Sequence, residues 1–285
     1  MTAPEAVLDR ILREIKGLPT LPHIYQAVSQ LAVDPETSAA KMARAIQGDP
    51  SISAKILGLV NSPYYGLSGK VGTITHAVAL LGFKTLQNVV LSASIVDLFK
   101  AKDAGSLDLD AFWRHSVAVA CTARLIARTV GLADSESHFV IGLLHDIGKL
   151  VESQFLGAPF REALARTGPG KPLHEAEREV LGFSHDLTGR KVLERWRLPE
   201  GICHAVGTHH APSVDLPRIR EVAPVHVADI LCIAAGMGSG GNPCVPPIDH
   251  AAWDALALRV DALEALLDHA QREAEETYAL LKKSA

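Results

Sequence analysis

Cysteine is scarce in this 285-residue chain: four residues, Cys121, Cys203, Cys232 and Cys244, with no two spaced as a CxxC pair. That spacing excludes a disulfide framework and a cysteine metal ribbon, and it suits reduced thiols in a cytoplasmic protein. Charge of one sign is also lacking, the formal net charge being -4. No electrostatic case for nucleic acid follows, and DNA is not an expected partner. No uninterrupted apolar run approaches membrane-spanning length, so no membrane insertion is expected. The N-terminal apolar residues Val7, Leu8, Ile11, Leu12 and Ile15 are interrupted by Asp9, Arg10, Arg13 and Glu14, unlike a signal peptide. Period-two alternation is absent throughout, which points to an all-α fold.

What is present is a series of amphipathic helices separated by proline, glycine and aspartate. Leu18-Pro19-Thr20-Leu21-Pro22 ends the first, Asp34-Pro35 the second, and Asp49-Pro50 opens another with proline at its favoured first position. Asn61-Ser62-Pro63-Tyr64-Tyr65-Gly66 reads as a turn, and Gly82 separates a short helix from a longer one running from about Lys84 to Phe99. The polar stretch Lys100 to Asp110 is the expected boundary. It divides the chain into two helical lobes, residues 1–105 and 106–285.

The second lobe places polar side chains where apolar ones belong. His145-Asp146-Ile147-Gly148-Lys149 lies in a segment, Phe139 to Leu150, whose apolar residues fall at helical spacing. Lys149 lies one helical turn beyond His145 and Asp146, which predicts all three on one side. His115 falls on the buried stripe Phe112, Val119, Ala123, Ile126. His185 shares a face with Thr188, Val192 and Trp196, and His209, next to His210, aligns with Ile202 and Val206. Asp229 and His226 are the only polar side chains of an otherwise apolar helix from Val225 to Ala235. Any one of these is compatible with a hydrogen-bonded core residue, and Asp229 with a partner in His226. Several buried polar groups in one domain each cost free energy unless paired, and together they suggest a metal site. The helix holding His174, Glu175, Glu177, Arg178 and Glu179 reads as solvated.

A histidine, an HD doublet extended to HDIGK, then His185, His209-His210 and Asp229 on separate helices resembles the HD superfamily of metal-dependent phosphohydrolases. With Asp49-Pro50, Ile56-Leu57, Asn61 to Gly66 and Ala77-Val78-Ala79-Leu80-Leu81-Gly82, the chain resembles the HDOD family of bacterial signalling output modules from about Leu18 to Ala235. The resemblance implies a helical two-lobe fold, a protein partner in a signalling pathway and no general activity, since many members lack several HD-type ligands. Carried over by position, it implies that His115, His145, Asp146 and Asp229 hold one metal, and that His185, His209 and His210 hold a second sharing Asp146. The related HD-GYP cyclic dinucleotide phosphodiesterases continue differently. Here Ala211-Pro212-Ser213 follows the His-His pair, and Ala111 stands where a further acidic ligand would be, so one or two ions are expected.

Iron, manganese, zinc and nickel all suit such a mixed donor set. The implied chemistry is phosphoester hydrolysis on a nucleotide or cyclic dinucleotide, with Lys149 offsetting phosphate charge. The first expectation is nonetheless a regulatory binding module with a structural or vestigial metal site, and the active phosphohydrolase or phosphodiesterase is the alternative.

Overall fold

The computed structural model describes residues 3–15, 17–62, 65, 69–99 and 105–282. Among them no strand forms; an isolated β-bridge, Gly168 to Lys171, closes a turn. In chain order the helices are α1 (Ala3–Glu14), α2 (His23–Val33), α3 (Ala39–Gln47), α4 (Pro50–Val60), α5 (Ile74–Ile95), α6 (Leu109–Thr129), α7 (Ser135–Leu144) and α8 (Ile147–Phe155). They continue as α9 (Ala158–Ala165), α10 (Leu173–Leu181), α11 (His185–Arg195), α12 (Glu200–Thr208), α13 (Ile219–Ala234), α14 (His250–Leu256) and α15 (Leu263–Lys282). The all-α expectation holds.

The chain divides into two compact units near residue 100. One comprises Met1–Leu18 with Lys100–Gln271, the other Pro19–Phe99 with Arg272–Ala285. This differs from a division into consecutive lobes 1–105 and 106–285. Helix α1 groups with the later residues because Leu8 and Leu12 are buried and the Leu12 carbonyl accepts a hydrogen bond from Arg195 on α11.

In the unit built on Pro19–Phe99, α5 packs against α2, α3 and α4. Each of the last two has a side-chain cap: Ser38 accepts from Lys41 N, and Asp49 from Ser51 N and Ile52 N. Together with the 3-10 turn that follows it, α5 forms Ile74–Leu98, which by length and composition could cross a membrane; half of that apolar window is buried in the fold, as in a core helix. Gly82, at φ 77° and ψ 170°, breaks it where the glycine predicted a helix end. Asn61 closes the turn after α4 by accepting from Val71 N and donating to Val71 O; Pro63, Tyr64 and Gly66 of the expected turn lie outside the described residues.

The other unit brings α6, α7, α8, α11, α12 and α13 together, and glycines set the closest approaches. A methyl group at Gly142 would lie 2.7 Å from the Ala120 Cα, so α7 and α6 meet backbone to backbone. At Gly148 it would lie 2.0 Å from the His185 carbonyl oxygen, which presses α8 onto the first turn of α11. Asp108 caps α6, and Asp110 pairs with Arg114; Pro224 lies inside α13; and Asp249 caps the short α14, which Ala257 at φ 50° ends before α15.

Candidate metal centre

Phe139 to Leu150 is not one helix. Helix α7 stops at Leu144 and α8 starts at Ile147, with His145 and Asp146 in the junction. Asp146 occupies the cap position of α8 but makes no side-chain capping bond. Its carboxylate turns instead toward the histidines.

The predicted residues converge. Asp229 Oδ1 lies 3.0 Å from His115 Nε2 and 3.6 Å from His145 Nε2. Asp146 stands between two sets, its Oδ2 3.3 Å from His145 Nε2 and 3.9 Å from His115 Nε2, its Oδ1 3.2 Å from His185 Nε2 and 4.0 Å from His209 Nε2. His210 Nε2 is 2.8 Å from His185 Nε2. Lys149 Nζ donates to Asp146 Oδ2 at 2.6 Å. His115, His145, Asp146, Lys149, His185, His209 and Asp229 are all buried, and His210 is partly exposed. Two sets, His115 with His145 and Asp146, and His185 with His209 and His210, each bring three donor atoms within 4.8 Å of one another.

Backbone contacts fix which ring nitrogens face inward. His145 Nδ1–H donates to the Gly142 carbonyl and His209 Nδ1–H to that of Val206, each at 2.7 Å, because a carbonyl can only accept. In the neutral rings Nε2 therefore carries a lone pair aimed at the cluster. Both Nε2 atoms, and Asp146 Oδ1, are buried and make no hydrogen bond. Donor atoms of a tetrahedral ion at metal–ligand distances of about 2.0–2.2 Å sit about 3.3–3.6 Å apart, and the donor separations here run from 2.8 to 4.0 Å. The donor set thus fits divalent cations on both sides of Asp146.

Without a cation the cluster holds its charge by proton placement. Burial opposes a charge on His145, but Asp146 and Asp229 outweigh it and lift its pKa to about 10. Burial likewise works against Asp146, which His145 and Lys149 hold well below the usual carboxylate range, and against Asp229, held down by His115 and His145. Lys149 keeps its proton, since Asp146 overcomes the burial that disfavours the ammonium. Burial, then the neighbouring His145 and His185, press His209 down to about 3, leaving it neutral with a free lone pair.

His226 does not pair with Asp229. Its Nδ1–H donates to the His209 carbonyl at 2.8 Å and its Nε2 accepts from Asp249 N at 2.8 Å, so it braces the His-His turn. Helix α10 is not solvated on all sides either. His174 is buried and stacks on His210 with ring centroids 4.1 Å apart, and Glu177 is fully buried against His185. Leu173, Ala176 and Val180 at helical spacing marked that inward face; the exposed charges of Glu175, Arg178 and Glu179 on the same short helix obscured the signal. The loop from Gly236 to Pro247 covers the centre. Ser239 N donates to the Ala111 carbonyl, and a methyl group on Gly240 would lie 2.5 Å from Asp146 Oδ2 and 3.1 Å from Lys149 Nζ.

An all-helical protein with an HD doublet at the hub of a histidine and carboxylate cluster is HD-like in class. The HDOD domain model matches residues 18–212, and the chain belongs to the HDOD family. An uncharacterized protein of Treponema pallidum is 25% identical over 222 residues, covering 75% of this chain and 42% of that protein. Ribonuclease Y of Desulfotalea psychrophila is 32% identical over 130 residues, 46% of this chain and 18% of that protein. The chain spans less than half the length of these curated relatives. Among solved structures, an HDOD domain protein of unknown function from Geobacter sulfurreducens aligns with TM-score 0.79 and 26% identity, over 99% of this chain and 98% of that one. A Shewanella amazonensis protein, assigned by name to the metal-dependent phosphohydrolases, aligns with TM-score 0.68 over 97% of this chain and 100% of that one; at 18% identity it shares the fold alone.

Proposed function

We propose that this chain is a bacterial signalling protein whose HD-like unit binds two divalent cations and hydrolyses a phosphoester of nucleotide type. The observation that carries this is the placement of Asp146, with one oxygen toward His115 and His145 and the other toward His185 and His209. Asp229 would complete the first ion's set and His210 the second's, with iron, manganese, zinc or nickel as candidates. Divalent cations bound there would polarise a phosphoryl oxygen and acidify water to a pKa of about 7. Lys149, kept protonated by Asp146, would offset charge building on the phosphoryl group and could not serve as a base. His210 is partly exposed, whereas the other proposed ligands are buried.

A second reading, a regulatory module that binds a signalling partner in the cytoplasm and keeps its metals as structure, is favoured by the closure of the centre. With Gly240 against Asp146 and Lys149, the loop stands where a phosphoryl group would sit. Untagged protein reconstituted with iron or manganese and supplied with nucleotides, cyclic dinucleotides and a generic phosphodiester separates the two. Turnover that disappears in His145→Ala and Asp146→Ala supports hydrolysis. Full metal loading without turnover of any of them supports the module.

A further inference from the structure

Glu177 belongs to none of the ligand sets, yet it is fully buried and its Oε2 accepts both His185 Nδ1–H at 2.6 Å and His185 backbone N–H at 2.9 Å. Taking a carboxylate out of water is costly unless its bonds are strong, and core packing alone would be served better by an apolar side chain. The surroundings sharpen the point. Glu152 is also fully buried, accepts from Thr188 Oγ1 at 2.5 Å, and is driven well above the ordinary carboxyl range by burial and then by Glu177. A second carboxyl beside Glu177 would be a liability in a merely structural contact.

The geometry points to Glu177 as the positioning residue of the second metal: we propose that it fixes His185 with Nε2 toward Asp146 and, through its charge, strengthens that nitrogen as a donor. The proposal rests on the two-cation reading above. The first set contains two carboxylates, Asp146 and Asp229, whereas the second has three histidines and only a share of Asp146. Glu177 supplies to the second set, through His185, the negative charge it otherwise lacks. A carboxylate behind a ligating histidine both fixes the ring and raises its basicity, and losing such a partner typically weakens metal binding about 10–100-fold.

The test is calorimetric titration of metal-free full-length protein with manganese and with zinc, comparing wild type, Glu177→Gln and Glu152→Gln. Glu177→Gln keeps the shape and an acceptor oxygen but not the charge. It should weaken the second equivalent by about 10–100-fold and leave the first within a few-fold. Glu152→Gln, replacing a carboxyl already held neutral, should retain both equivalents. Unchanged binding of both equivalents by Glu177→Gln overturns this inference alone. A wild type that binds no second equivalent overturns the two-cation reading and this inference with it. Should Glu177→Gln fail to fold, cadmium-loaded wild type with 15N-labelled histidine gives an independent answer. The resonances lost in His185→Ala should show metal coupling at Nε2 and a slowly exchanging proton on Nδ1; coupling at Nδ1, or none, overturns the assignment.

Discussion

Replacing Gly148 by alanine separates local helix preference from the packing of the centre. Gly148 sits in the first turn of α8, where alanine is favoured over glycine by about 0.8–1.0 kcal/mol, so propensity alone predicts a more stable protein. The structure predicts the reverse. The added methyl would lie 2.0 Å from the His185 carbonyl oxygen and 2.8 Å from Gly189 N. Both are backbone atoms, so no rotamer change relieves the contact, and α8 and α11 must separate by roughly 1.5 Å to reach ordinary van der Waals spacing. Overpacking of this kind costs about 1–3 kcal/mol, with the upper end expected where two backbones collide. After the propensity gain, a net loss of about 1–2 kcal/mol remains, which should lower the unfolding midpoint by about 2–8 °C. The same displacement carries His185 away from Asp146 Oδ1, now 3.2 Å distant, so the second metal equivalent should weaken more than the first. Thermal unfolding of the metal-free protein and a two-site titration read the two effects. A Gly148→Ala protein as stable as wild type that binds both equivalents normally would refute the close approach and its link to the centre.

Two other outcomes follow from charge. In chelated protein, the raised pKa of His145 contributes stability that is fully present below its unfolded value of about 6.5 and is lost as pH rises through about 10, an effect on the order of a few kcal/mol. The lowered pKa values of Asp146 and Asp229 act in the opposite sense, their contribution being present above about 4 and lost as pH falls through the folded values. Unfolding midpoints measured from pH 4 to 10 should therefore decline on the alkaline side in chelated protein and much less after reconstitution, where a cation takes the place of the His145 proton; parallel curves would contradict this. Asp229→Asn should weaken the first metal equivalent by about 10-fold or more while preserving helical content, because it removes charge next to His115 and His145 without changing volume; equal affinity by titration would count against Asp229 as a ligand.

Much of the centre was legible because its chemistry contradicts its surroundings. His115 and Asp229 interrupt apolar helical stripes, and HDIGK interrupts a run of leucine and isoleucine, so each reads as a buried polar group in need of partners. What sequence pattern could not supply was the break between His145 and Asp146, since the apolar periodicity continues on both sides of it and no glycine or proline marks it. Glu177 and His174 were hidden for the opposite reason. Helix α10 is rich in charge, and its inward face shows only when Leu173, Ala176 and Val180 are set beside them. The grouping of α1 with the later unit depends on Arg195 reaching the Leu12 carbonyl, a contact 183 residues apart in the chain that no local pattern encodes.

Elemental analysis of untagged protein reconstituted with iron or manganese reads out whether Asp146 stands between two cations. Two ions per chain in the wild type, with loss of both in Asp146→Ala, is the result predicted. A wild type without stoichiometric metal, or an Asp146→Ala protein that retains two, would contradict it.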